Sequence, residues 1–186
     1  MIDYFALLGI ERRPAITEET LKGAYFRKSE SLHLDPARSE AFAVNAAFQT
    51  IANPATRIQH LLTLEFGDAS GGEISPDLGK LFGTIVEVLQ IADQELGSLS
   101  ARSSPILRAL VYQSLDGLRE KLDQAEEELS QRKSALLEEV GRLDQSWFES
   151  SVHARQPLAQ VALGLTFVQK WLSQVRERKI RLEELA

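Results

Sequence analysis

NAAFQTIANPATRIQHLL, residues 45–62, holds two amphipathic runs that meet at a break. Asn53 is a good helix N-cap. Pro54 suits the first helical position, where its missing N–H is not needed and its fixed φ is already helical. The dipeptide therefore ends one helix and starts the next. Downstream, Ile58, Leu61, Leu62 and Leu64 form the apolar face of the second helix. Upstream, a helix from about Arg38 is expected to bury Phe42, Val44, Phe48 and Ile51.

Working outward toward the N-terminus, two more helices are expected. Asp3 can cap a short one, Tyr4 to Leu8, whose end at Gly9 suits a left-handed C-terminal turn. Glu11 to Ile16, with Pro14 and two arginines, reads as a connecting loop. Thr17 is a plausible cap for the next helix, with Glu18 and Glu19 in the first turn, where the helix dipole favours negative charge. There Leu21, Ala24, Tyr25 and Leu32 make one apolar face, interleaved with Lys22, Arg27, Lys28 and Glu30. The helix runs into His33-Leu34-Asp35-Pro36, and Pro36 disfavours helical backbone at Asp35. Taken alone, a histidine in a last turn and an Asp-Pro opener make an ordinary connection.

Bulk properties exclude several classes of function. The net charge of −6 over 186 residues argues against nucleic acid as the main partner. Residues 1–66 carry seven Lys/Arg against eight Asp/Glu, so the N-terminal part is no basic arm. Apolar runs are far shorter than the roughly 20 residues a membrane span needs. Met1-Ile2-Asp3-Tyr4 lacks the basic and apolar regions of a secretory signal, and no membrane association is expected. There is no cysteine, which fits a cytoplasmic setting and excludes a thiolate nucleophile or cysteine-ligated cluster. His33, His60 and His153 show no metal-ligand spacing, and no cofactor is expected.

Beyond residue 66 the pattern changes. Residues 67–77, rich in glycine and polar side chains, read as a linker. Then Leu78, Leu81, Ile85, Val88 and Ala92 step by three and four, as do Leu118, Leu122, Ala125 and Leu129, resuming at Leu136, Val140 and Leu143. A last seam, after Pro157, runs through Leu158, Val161, Leu165, Val168, Leu172 and Val175. Three such seams predict an antiparallel three-helix bundle over residues 78–186, in an all-α protein. The first seam carries a second apolar row, Phe82, Val86 and Leu89, which one narrow seam cannot bury as well. That row packs on the N-terminal helices, widens the bundle core, or meets a partner. Trp147, Phe148, Phe167 and Trp171 are expected to pack between helices. Enzyme chemistry has little support. Gly71-Gly72 lacks the strand, lysine and helix of a phosphate loop, and Ser103-Ser104 before Pro105 reads as a helix start.

Three strings together resemble a J domain: DYFALLGI at 3–10, the helix ending in HLDP at 33–36, and the quoted stretch at 45–62. More narrowly they resemble the HscB family, the J-domain co-chaperones of iron–sulfur cluster assembly. The most specific piece is Asn45-x-Ala47-Phe48-Gln49-Thr50-Ile51-x-x-Pro54-x-x-Arg57 followed by Leu61-Leu62. The resemblance implies a J-domain-like helical hairpin domain over residues 1–66, followed by the three-helix bundle. Leu165-x-Phe167-Val168-x-Lys170-Trp171-Leu172 is the best local match in that second part. It further implies a non-enzymatic co-chaperone that stimulates the ATPase of a DnaK/HscA-type chaperone through His33 and Asp35, with Lys22, Arg27 and Lys28 meeting an acidic chaperone surface. Phe82, Val86 and Leu89 would then bind an iron–sulfur scaffold protein as client. The family carries His-Pro-Asp; here Leu34 stands in the proline's place and Pro36 follows the aspartate. The alternative is a J-like adaptor that associates proteins without activating a chaperone.

Overall fold

A computed structural model describes residues 1–33, 38–68, 72–100 and 105–185. Leu34, Asp35, Pro36, Gly71 and the Ser103-Ser104 pair lie outside the described residues. Within them the chain is all-helical, in seven helices: α1 (Tyr4–Leu8), α2 (Glu18–His33), α3 (Arg38–Ala52), α4 (Pro54–Phe66), α5 (Pro76–Ser100), α6 (Pro105–Gln145) and α7 (Trp147–Leu185). None is long and apolar enough to cross a membrane.

The helix boundaries follow local chemistry. Asp3 Oδ1 accepts from the N–H groups of Phe5 and Ala6 at 3.0 and 3.1 Å, and Gly9 closes α1 at φ 66°. Thr17 Oγ1 accepts from Thr20 N–H at 3.2 Å, and Asn53 Oδ1 from Ala55 N–H at 2.9 Å. Each contact satisfies a donor left free in a first helical turn. One expectation fails: α7 begins at Trp147, so Pro157 lies inside it, and the break falls at Ser150 (φ −152°, ψ 44°).

The chain divides into two compact units. The first is residues 1–73 together with 136–165, and the second is 74–135 together with 166–186. This differs from a single cut at 67–77, because residues 136–165 of the expected bundle go with the N-terminal helices.

In the first unit α1 packs on α2 and α3, and α3 on α2 and α4. Its core holds Phe5, Leu8, Leu21, Ala24, Val44, Ala47, Ile51, Ile58, Leu61 and Leu62. Phe42 is not in it: the ring is 77% exposed. At 100° per residue Phe42 projects opposite Val44, Ala47 and Ile51, and three smaller side chains in phase outweigh one large one out of phase. Gly72, expected in a free linker, is packed: a Cβ there would sit 2.6 Å from the carbonyl oxygen of Ala159.

In the second unit α5 and α7 run parallel, since Phe82 meets Trp171 and Asp93 meets Arg178 further along both. Segment α6 runs antiparallel to α7, with Glu126 on Arg176 and Asp123 on Lys179. Leu78, Ile85, Ala92, Leu118, Leu122, Ala125, Leu129, Val168, Leu172 and Val175 are buried, as their period predicts.

Candidate functional site

The first candidate surface is the α2–α3 hairpin of the first unit. Tyr25 OH donates to Asn45 Oδ1 at 2.7 Å, and its ring lies 4.6 Å from that of Phe48. One turn on, Lys28 Nζ is 3.0 Å from Glu40 Oε1. As residue number rises along α2 its partner's falls along α3, so the two helices are antiparallel, with the end of α2 at His33 and the start of α3 at Arg38 on the same side.

The hairpin rests on a rigid base. Arg57 is only 5% exposed; its Nε donates to Pro14 O at 2.7 Å and its Nη1 to Ile51 O at 3.0 Å. The second bond fills a carbonyl left open at the end of α3, and the first fixes the loop before α2. Burial lowers the Arg57 pKa to about 10, against the upward pull of the Asp144 carboxylate, so the group stays cationic at neutral pH. Asp144 is itself buried, where Arg13 grips both its oxygens and Ala15 N–H donates to Oδ1 at 3.0 Å. These groups line a cleft of about 520 Å³ with Ile10, Ile16 and Val140. The four ionic side chains of its lining, Glu11, Arg13, Arg57 and Asp144, are all bonded within the protein, and they brace the cleft.

The expected chaperone-facing residues separate into groups. Lys22 is exposed and 2.5 Å from Glu18 Oε1, four residues back on its own helix, and it holds that carboxyl below its usual range. Lys28 is half-buried against Glu40. Arg27 is exposed and has no ion-pair partner among the described residues. His33 ends α2; Asp35 lies outside the described residues. Sequence reasoning missed Phe26, 66% exposed on the side of α2 opposite Leu21 and Ala24. Its phase relative to those two was the available signal.

The second candidate surface lies on α5. Phe82 is 49% exposed, Val86 is half-buried, and Leu89 is 8% exposed and belongs to the core. The row is therefore not one surface: its members share one face of α5, yet it joins the core at Leu89 and opens at Phe82. Phe82 instead joins Trp171, ring centroids 5.4 Å apart, and Trp171 stacks on Phe167 at 5.7 Å. Of the expected packing aromatics, Trp147 and Trp171 are buried while Phe148 is exposed.

Compared with known proteins, the chain matches no protein-family model, no curated protein and no solved structure.

Proposed function

We propose that the chain is a co-chaperone: its α2–α3 hairpin engages a DnaK/HscA-type ATPase, and its second unit carries an iron–sulfur scaffold protein as client through Phe82 and Val86. The observation that carries the reading is an antiparallel hairpin, braced by Tyr25–Asn45 and Lys28–Glu40, whose joined end is the one bearing His33. That is the end where a J domain presents its trigger, and the motif residues Asn45, Phe48 and Arg57 all make contacts that hold it. Bringing client and ATPase to one chain raises the effective concentration of each for the other. The half-exposed Phe82 beside Trp171 supports an apolar client contact, from which Leu89 drops out. Leu34 in place of the trigger proline favours the second reading, an adaptor that binds without activating.

Steady-state ATP turnover by a DnaK-type chaperone, with and without the chain, separates the two. Stimulation by wild type, lost on Asp35→Asn with the melting temperature unchanged, is expected of the co-chaperone. Binding without stimulation would leave the adaptor. The client arm is read by scaffold binding to a Phe82→Ala/Val86→Ala variant: full binding by a folded variant would remove that surface.

A further inference from the structure

We propose that Ser75, the residue before α5, is a phosphorylation site, and that Arg132 of α6 receives the phosphoryl group. Among the described residues, Arg132 Nε is the one buried side-chain nitrogen or oxygen without a hydrogen-bond partner. Leaving a buried donor of a cation open is costly, and it calls for a reason. The contact Arg132 does make is weak: Nη2 donates to Ser75 Oγ at 3.4 Å, near the limit of a hydrogen bond. No carboxylate among the described residues pairs with it, whereas Arg119, Arg176, Arg178 and Arg181 in the same unit each hold one.

A hydroxyl oxygen is a poor match for this half-buried guanidinium, because it is uncharged and offers one acceptor atom. A phosphoryl group on that oxygen brings a charge of about −1.5 to −2 and three acceptor oxygens. Nη2 and the open Nε are a pair of adjacent donors of the kind with which arginine grips phosphate. Ser75 Oγ also accepts from Leu78 N–H at 3.3 Å, so the added charge sits at the positive end of a 25-residue helix. Three carboxylates nearby in sequence are Glu73, Asp77 and, four residues before Arg132, Glu128. All three are exposed, so solvent screens their repulsion. Access is open as well. Residues 72–75 lie outside any helix, and Glu73, Ile74, Pro76 and Asp77 are exposed around the half-buried serine. A kinase has only the first turn of α5 to loosen.

The reaction is phosphoryl transfer from ATP by a serine/threonine protein kinase. The Ser75 Oγ–P bond forms, the bond from the γ-phosphorus to the ADP oxygen breaks, and the hydroxyl proton passes to the kinase's base. The product ties the start of α5 to α6 within the second unit, and nothing in this rests on the co-chaperone reading.

The test uses the 186-residue chain with phosphoserine placed at position 75 during translation. Its phosphorus resonance should titrate below the value of about 6 usual for a phosphoserine, and Arg132→Met, which keeps an unbranched stem, should return it there. Hydrogen exchange at the Leu78 and Gly79 amides should slow about ten-fold on phosphorylation, and Arg132→Met should abolish most of that slowing. In the unmodified chain Arg132→Met should leave both amides nearly as they were. A titration that Arg132→Met does not move overturns the pairing. Inorganic phosphate added to the unmodified chain at matched ionic strength should not slow the two amides; equal slowing would make this a site for a free anion and overturn the modification. Phosphopeptide mapping of the chain purified from its own cells, growing and starved, should find phosphate on Ser75, and its absence from every sample overturns the proposal.

Discussion

His60 shows how one side chain couples the first unit to pH. The ring is buried, stacks on Tyr4 and Phe5 at 4.7 and 5.8 Å, and Nε2 accepts the Tyr4 N–H at 3.1 Å. Accepting requires an unprotonated Nε2. Burial lowers the pKa below 6.5; the Asp3 carboxylate opposes that shift and Arg12 reinforces it. A histidine that binds its proton less readily when folded contributes stability fully above pH 6.5, and loses it as pH falls below that value. The melting temperature should therefore drop between about pH 7 and pH 5. His60→Gln, which can accept the same bond without titrating, should flatten that drop; an unchanged profile would show that another group carries it. In the sequence His60 was only one of three scattered histidines. Its role depends on Tyr4, 56 residues earlier, and no local pattern encodes that contact.

At the scale of elements, α2 carries a glycine in its interior, where glycine costs about 1 kcal/mol relative to alanine. Among the described residues, and apart from the backbone of α2 itself, the only atom within 4 Å of an added Cβ at Gly23 is the tip of the flexible Arg27 side chain. Gly23→Ala should therefore stabilise the first unit by about 0.5–1 kcal/mol in urea unfolding, with the slope unchanged. Destabilisation would mean that Arg27 is fixed where it lies. Element ends were legible because Asp3, Thr17 and Asn53 act on N–H groups two or three residues away. Element faces were legible only where the apolar residues agree in phase. In α3 Phe42 disagrees with Val44, Ala47 and Ile51, and size misled where angular position decides.

For the whole molecule, the finding with most consequence is that residues 136–165 belong to the first unit. Trp147 is buried there, with Nε1 donating to Arg12 O at 3.1 Å and its ring edge-on to Phe66, and Asp144 is gripped by Arg13. A fragment ending at residue 73 loses all three contacts. It should keep helical circular dichroism but melt well below the first unit of the 186-residue chain. Trp147→Ala in that chain should by itself cost about 3–5 kcal/mol. A fragment of residues 1–73 that melts as the chain does would return autonomy to the N-terminal helices.

The amino-acid sequence by itself determined the helical class, most helix ends and the buried stripes of α5, α6 and the second half of α7. Caps, prolines and three-four spacing act within a few residues, so the chain encodes them wherever the rest of it goes. Only the tertiary structure decided that Phe42 faces outward, that Leu89 is core while Phe82 is half open, that Lys28 is held by Glu40, and that Asp144 completes a unit begun 131 residues earlier at Arg13. Those outcomes turn on which distant groups share a space. Burial and ion pairing are properties of that meeting, and no single segment contains them.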